Sequence, residues 1–133
     1  MSSILKISDA ASIALHAMIM LAEKENKLLS VRDIATKLDI SANHLSKVMQ
    51  RLVKAELVES VKGSGGGFKL YKTPAEVTFF EVYEAIDGKF KPSSCLLNKS
   101  LCQHHCIMGG LVSSINNQVE TFFKKTKLTD FIK

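Results

Sequence analysis

The sequence lacks several features that would assign it to common functional classes. No run of about 18 apolar residues is present, so no segment is predicted to span a membrane. The apolar stretch after Lys6 carries Ser12, His16 and Glu23 and lacks a small-residue cleavage site, which argues against a signal peptide. We therefore expect a cytoplasmic protein. A glycine-rich phosphate loop ahead of a helix and a recognised catalytic motif are also absent, so we do not expect an enzyme.

Cysteine is scarce and unevenly placed, since the chain has only Cys95, Cys102 and Cys106. An odd number of cysteines without a secretion signal argues against a disulfide framework. Such closely spaced thiolates bind iron–sulfur clusters or zinc, and they also serve as redox-sensitive thiols. A closed site with three cysteines needs a fourth ligand, for which His104 and His105 are local candidates.

Apolar and basic residues, by contrast, are plentiful. The chain has 133 residues, of which 46% are hydrophobic, enough for one domain with a modest core. Its 18 Lys and Arg residues outnumber its 13 Asp and Glu residues, which gives a net charge of +5. Most of this excess falls between residues 31 and 72. Clustered positive charge of this kind indicates a polyanionic partner such as nucleic acid.

Apolar spacing and capping residues predict three helices in the N-terminal half. The first covers residues 8–25, with Ser8 as its N-cap. A capping box at Ser30–Asp33 begins a second, short helix, and Ser41 caps a third. The third helix is expected to bury Leu45, Val48, Met49 and Leu52. Two short helices joined by a tight turn are typical of a helix-turn-helix.

The residues that follow the third helix predict a β-hairpin. Residues 57–61 and 68–71 are prone to form strands, and they flank the segment KGSGGG at 62–67. Glycine permits positive φ angles and close approach of the backbone to a partner. Because three consecutive glycines exceed what a two-residue turn needs, we favour a functional role for the hairpin tip. A hairpin directly after a helix-turn-helix forms a winged helix.

In this fold the third helix is the recognition helix, and its N-terminal exposed residues enter the major groove. Asn43 is suited to hydrogen-bond adenine, and Lys47 is suited to the acceptors of guanine. The hairpin tip is expected to lie along the minor groove or its phosphates. The candidate DNA-binding residues are Arg32, Ser41, Asn43, His44, Ser46, Lys47, Arg51, Lys62, Gly63, Ser64 and Gly65.

The C-terminal half is predicted to contain a capped helix, the cysteine segment and a long helix. A capping box at Thr78–Glu81 begins the first of these helices, and the long helix runs from Ile107 to about Lys125. The long helix could cover its own core or pair with a copy of itself, and we favour pairing. The predicted fold is therefore mostly α with a small β-hairpin wing. Its parts are a winged helix-turn-helix DNA-binding domain at 1–90, a cysteine-bearing sensor loop at 91–106, and a dimerisation helix with C-terminal tail at 107–133.

Four stretches between residues 7 and 131 carry a family resemblance. They are IALHAM at 13–18, DIA at 33–35, LVESVKGSGGGF at 57–68, and the cysteine cluster followed by TKLTDF at 126–131. In these stretches the sequence resembles the Rrf2 family of transcription regulators, which includes iron–sulfur cluster regulators and nitric-oxide-sensing repressors. The resemblance implies a homodimer joined through the long helix and a roughly palindromic operator in double-stranded DNA. It also implies a [2Fe–2S] or [4Fe–4S] cluster, held by the three cysteines, that gates DNA binding.

The same resemblance suggests where a further ligand lies. In some family members an acidic residue or a histidine on the partner's first helix binds the cluster. Those positions correspond here to Ser12, which is a poor ligand, and to His16. The chain also departs from the family where Ser46 replaces a frequent glutamate and where Lys62 replaces a frequent arginine. These departures leave the operator sequence open. Only three residues separate Cys102 from Cys106, fewer than is usual in the family, and this leaves the cluster type open.

Three hypotheses for function follow. In the first, losing a cluster frees the loop between residues 90 and 107 and changes the relative placement of two recognition helices. In the second, a partner protein, zinc or thiol oxidation controls the DNA binder, and no iron–sulfur cluster is present. The third is an enzyme in which Cys106 works with His104 or His105. A nucleophile of this kind needs a base and an oriented third group in a cleft, and the sequence offers no recognised catalytic motif.

Overall fold

The computed structural model describes residues 7–25, 27–91 and 106–132. These residues form five α-helices, a two-stranded sheet and two short 3-10 helices. In chain order the elements are α1 (Asp9–Glu23), α2 (Val31–Leu38), α3 (Ala42–Lys54), β1 (Val58–Val61), β2 (Gly67–Leu70), the 3-10 helix Pro74–Glu76, α4 (Phe79–Asp87), α5 (Leu111–Lys125) and the 3-10 helix Leu128–Phe131. Three helices followed by a hairpin confirm the predicted winged helix-turn-helix. Within the described residues, no helix is long and apolar enough to cross a membrane.

Local hydrogen bonds explain where the helices begin. All four predicted N-caps are confirmed, at Ser8, Ser30, Ser41 and Thr78. At the start of α2, the Asp33 amide donates to Ser30 Oγ, and the Ser30 amide donates to the Asp33 carboxylate, both at 3.0 Å. The hydrogen bond from the Ser30 amide favours the charged carboxylate of Asp33, and it therefore holds the pKa of Asp33 below its usual value. Each capped start satisfies amides that lack a partner within the helix.

The core is built around α1, which packs against α2, α3, α4 and β2. One face of α1 consists of small residues, because Ala11, Ala14 and Ala17 are all fully buried. Since the distance between two packed helices depends on the side chains at their contact, alanines let the neighbouring helices approach closely. From α3, the four predicted inner residues Leu45, Val48, Met49 and Leu52 are all buried against it.

The hairpin is attached to the helical body rather than projecting freely. Strands β1 and β2 are antiparallel, with Val58 opposite Leu70 and Val61 opposite Gly67. The segment before α2 adds an isolated antiparallel bridge to β2, because Leu29 and Phe68 exchange backbone hydrogen bonds of 3.0 and 2.8 Å. The base of the wing is therefore fixed to the start of α2.

The glycine run of the wing has a structural explanation that the sequence did not show. Gly63 and Gly65 have φ angles of 99° and 77°, a region that other residues rarely adopt. A Cβ at Gly66 would overlap the carbonyl oxygen of Val61, and one at Gly67 would lie 2.6 Å from that of Leu29. The glycines are thus needed to fold the hairpin, so their number does not by itself indicate a functional tip, and the role of the tip in DNA binding stays a prediction.

The long C-terminal helix begins later than predicted. The sequence placed its start at Ile107, but α5 starts at Leu111 and residues 107–110 form turns. Gly109 and Gly110 adopt positive φ angles of 57° and 85°, which interrupt the helical path. Periodicity alone missed this break because Ile107 happens to fit the four-residue spacing, although its side chain is 83% exposed.

Helix α5 and the residues after it belong to the same core as the winged helix. Val112 and Phe123 of α5 are buried, and Leu128 beyond it is fully buried. The chain then pairs with the approach to α4, where the Leu128 amide donates to the Val77 carbonyl at 3.1 Å. These contacts attach α5 directly to the winged-helix part of the protein.

Glu56 occupies a position that favours glycine and gives a stability prediction. At the end of α3, the amides of Leu57 and Glu56 donate to the carbonyls of Leu52 and Val53, a Schellman motif with Glu56 at φ 61°. We expect Glu56→Gly to raise the free energy of unfolding by about 1 kcal/mol, because it relieves this left-handed conformation. The control Ala55→Gly, at φ −80°, should lower it by roughly 0.5–1 kcal/mol. Urea unfolding measures both, and a loss of stability in Glu56→Gly would contradict the assignment.

The close approach at Gly66 gives a second prediction. We expect Gly66→Ala to destabilise the protein by about 1–3 kcal/mol, because the new methyl group meets a backbone oxygen that cannot move away alone. Ser64→Ala, in the same exposed turn, serves as the matched control and should change stability by less than about 0.5 kcal/mol. Equal unfolding midpoints for the two variants would show that the turn is not packed as described.

Candidate nucleic-acid interface and cysteine segment

The turn between α2 and α3 sets the geometry of the helix-turn-helix. Asp39 ends α2 in the left-handed conformation, at φ 55°, and its amide donates back to the carbonyls of Ala35 and Thr36. Ile40 donates to Ala35 at 3.1 Å, and Ser41 then caps α3. The turn between the two helices is therefore only three residues long, and the N-terminal end of α3 that follows it is exposed.

The predicted recognition helix has one apolar face and one polar face. Its apolar face is wholly buried, whereas Asn43, His44 and Lys47 on the opposite side are exposed. Ser46 lies at the boundary and is half-buried. Of the other sequence-predicted residues, Ser41 at the start of the helix and Arg32 on α2 are also exposed. The structure thus places this part of the candidate set on the outside of one helix-turn-helix.

Two further residues share this surface but were missed from the sequence. A shallow groove runs between Ala10 of α1 and the outer side of α3, and its polar lining consists of His44, Lys47, Gln50, Arg51 and Lys54. Gln50 and Lys54 follow Asn43 and Lys47 at intervals of seven, so helical spacing was the signal that could have identified them. The groove extends the candidate interface along the whole outer side of α3.

Arg51 differs from its neighbours in this groove because it has a protein partner. Its Nη1 donates to the carbonyl oxygen of Ile86, at the end of α4, over 2.9 Å. Within the described residues, neither Lys47 nor Lys54 has a hydrogen bond or an ion pair with a side chain.

The end of α4 also carries negative charge. Burial, together with the carboxylates of Asp87 and Glu84, raises the pKa of Tyr83 above its usual value.

The hairpin tip presents the remaining candidate residues. Lys62, Gly63, Ser64 and Gly65 are all exposed at the turn between β1 and β2. Lys69, farther from the tip, faces Glu59 across the strands with an exposed ion pair of 3.8 Å. Lys62 is therefore the cation at the tip itself, next to Gly63 and Gly65, where a side chain would meet no other atom of the protein.

Only part of the predicted metal site lies among the described residues. Cys95, Cys102, His104 and His105 fall outside them. Cys106 is exposed, and its Sγ accepts the amide of Met108 at 3.4 Å. The described residues contain no group of three His, Cys, Asp or Glu side chains able to hold a metal ion. A complete site therefore needs the other two cysteines.

The described candidate for a fourth ligand is His16 on α1. Its side chain is exposed, and its Nδ1 lies 2.7 Å from the carbonyl oxygen of Ser12. Because a carbonyl oxygen only accepts, Nδ1 carries the proton, and in the neutral ring Nε2 keeps its lone pair. A backbone bond that fixes one ring nitrogen is the arrangement found behind metal-binding histidines.

Comparisons with known proteins agree with this geometry. The Rrf2 family model, described as an iron-dependent transcriptional regulator, matches residues 7–133. The regulator NsrR of Bacillus licheniformis is 31% identical over 122 residues, which cover 89% of this chain and 83% of the relative. IscR of Cereibacter sphaeroides is 27% identical over an alignment of 140 residues, covering 97% and 88%.

A solved structure gives the same result for the fold. CymR (YrzC), the global cysteine regulator of Bacillus subtilis, superposes with a TM-score of 0.80 at 28% identity and covers 95% of both chains. The relatives are transcriptional regulators, which confirms the expectation that the chain is not an enzyme. The chain belongs to the Rrf2 family of helix-turn-helix transcriptional regulators.

Proposed function

We propose that the chain is a homodimeric regulator that binds a roughly palindromic operator through α3 and the wing, under control of chemistry at its three cysteines. The main support for DNA binding is that α3 has a buried apolar side and an exposed polar side. Its apolar side is buried completely, and its outer side carries exposed Asn43, His44 and Lys47 beside a basic groove. A helix held this way can insert its polar side into the major groove, while Lys62 at the wing tip reaches the backbone.

The outward face of α5 supports the homodimer. On its inward side Val112 is buried and Phe123 packs on the core, but Leu111 and Phe122 on the neighbouring row are 48% and 53% exposed. Ile115, between them at helical spacing, is half-buried. An apolar row of this length on a surface helix suits pairing with the same row of a second copy. Two copies would present two α3 helices, which matches a palindromic operator.

The cysteines and His16 are chemically suited to an iron–sulfur cluster. Cys106 is solvent-accessible, and its sulfur accepts the amide of Met108, a hydrogen bond of the kind that tunes the sulfurs of iron–sulfur clusters. Cys95 and Cys102 would supply the other thiolates, and His16 of the partner subunit or a local histidine would complete the set. When bound, the cluster would supply a centre that responds to iron supply, oxidants or nitric oxide. The family's description as iron-dependent supports this choice.

Control would pass through the segment that joins α4 to α5. If the three cysteines share one ligated group, residues 95–106 are closed into a short loop. Since α4 packs on α3 and α5 carries the proposed dimer contact, a change in this segment alters how two recognition helices are spaced.

Thiol chemistry without a cluster is the second candidate. The structural similarity to CymR, a cysteine regulator, favours it, and the exposed Cys106 thiol is accessible to oxidants. Zinc held by the same thiolates, or a partner protein, would be further means of control. Spectra and metal analysis separate these cases, because an iron–sulfur protein absorbs visible light and a zinc protein does not.

The DNA-binding proposal predicts the effect of removing one charge from α3. Lys47→Ala should weaken binding to the sequence that the wild type selects by about 5- to 150-fold, because a base contact is worth ~1–3 kcal/mol. Lys24→Ala removes the same charge at the exposed end of α1, away from the interface, and should leave affinity unchanged. Fluorescence anisotropy with labelled duplex measures both. Equal losses in the two variants would mean that only net charge matters.

If chemistry at the cysteines controls DNA binding, Cys102→Ala should change two separate measurements. In protein purified without oxygen, Cys102→Ala should lose visible absorbance and bound iron and sulfide, because a ligand is missing. Its operator affinity should differ from that of the loaded wild type by about 5- to 150-fold, the usual range of coupling between two sites. The metal-free wild type and metal-free Cys102→Ala should bind alike. Unchanged affinity under loading conditions would remove the coupling, and a colourless wild type after reconstitution would favour zinc or thiol oxidation.

A further inference from the structure

The bond between Arg51 and α4 is the one long-range tie from the outer side of α3 among the described residues. The guanidinium reaches the carbonyl of Ile86, 35 positions along the chain and next to the last residue of α4. Carbonyls in the last turn of a helix lack an intrahelical partner, and the helix dipole is negative there. A guanidinium at this place satisfies both the free acceptor and the dipole. The bond therefore joins the recognition helix to the end of α4.

The next residue, Asp87, holds a second helix at the same point. Its carboxylate accepts the Ser8 amide at 3.1 Å and also accepts the Ser8 hydroxyl. Ser8 is the N-cap of α1, where its Oγ accepts the amide of Ala11 at 3.0 Å. Consecutive residues at the end of α4 thus bind α3 through a carbonyl and α1 through a side chain.

The chain beyond α4 remains braced for three more residues. The Phe90 amide donates to the Glu84 carboxylate at 2.9 Å, and the Phe90 ring packs edge-on against Tyr83 at 5.7 Å. Asp87 precedes Cys95 by only eight positions. The end of α4 is therefore a firm boundary between the helical body and the cysteine-bearing segment.

We infer that Arg51 is a positioning residue, which fixes the angle of α3 against α4, rather than a DNA contact as its sequence position suggested. The inference rests on the proposed DNA-binding function of α3. DNA contact is left to Lys47 and Lys54, which line the same groove without a side-chain partner among the described residues. Because this hydrogen bond joins α3 to α4, a displacement at the end of α4 would be transmitted directly to the recognition helix.

The first test needs no DNA. Hydrogen–deuterium exchange of the full chain should show faster exchange around residues 84–91 in Arg51→Ala than in the wild type, because the end of α4 loses its brace. Lys54→Ala, one turn further along α3, removes the same charge and should leave that exchange unchanged. Arg51→Lys, which keeps a donor, should restore slow exchange at least in part. Equal exchange in Arg51→Ala and the wild type would overturn the brace.

The second test separates positioning from contact by the salt dependence of operator binding. A lysine or arginine that neutralises one phosphate adds about 0.9 to the slope of log affinity against log salt. Arg51→Ala should weaken binding by about tenfold with an unchanged slope, as expected for loss of a charged hydrogen bond that orients the helix. Lys54→Ala should lower the slope by ~0.9.

The outcomes distinguish the positioning role of Arg51 from the proposed DNA-binding function of the chain. A reduced slope or an altered base preference in Arg51→Ala would make Arg51 a DNA contact and overturn its positioning role. A wild type that selects no DNA sequence would instead contradict the proposed function, and the exchange experiment would still decide whether Arg51 braces α4.

Discussion

The packing of α1 against α3 and α4 is the constraint on which the rest of this structure depends. Three alanines on one face of α1 are fully buried, so the two neighbouring helices lie close to its backbone. Once the inner face of α3 is held in this way, its outer face is determined, because a helix cannot rotate without exposing its apolar residues. The exposed row with Asn43 and Lys47 follows from that burial. The candidate interface is thus a consequence of the core.

Much of this arrangement could be predicted because its signals are local. Ser41 predicts the start of α3, and the spacing of Leu45, Val48 and Leu52 predicts its inner face. The capping box at Ser30 works in the same way, since all of its partners lie within three residues. Such features depend on short-range hydrogen bonds and on the helical period, both of which a sequence displays directly.

The features that escaped prediction depend on contacts between distant residues or on backbone conformation. The need for Gly67 arises from the carbonyl of Leu29, which only the folded wing brings near. The late start of α5 arises from positive φ angles at Gly109 and Gly110, whose neighbours keep an apolar period. The partner of Arg51 lies 35 positions away, so no local sequence pattern could reveal this hydrogen bond.

The arrangement separates three tasks along one short chain. Helix α3 and the wing form the candidate DNA surface, the segment before α5 carries the thiols, and α5 exposes an apolar row suited to a second copy. The end of α4 connects these parts, since it contacts α3 and α1 and leads into the cysteine segment. Membership of the Rrf2 family is consistent with this division.

The most direct test of the account is selection from a random library of double-stranded DNA by the purified full chain. The account predicts enrichment of a motif with two-fold symmetry, whose half-sites lie about 10 base pairs or a multiple of that apart, because two α3 helices enter the same face of the duplex. Failure to enrich any motif would contradict the central claim of sequence-specific binding. Enrichment of a single asymmetric site would contradict the homodimer.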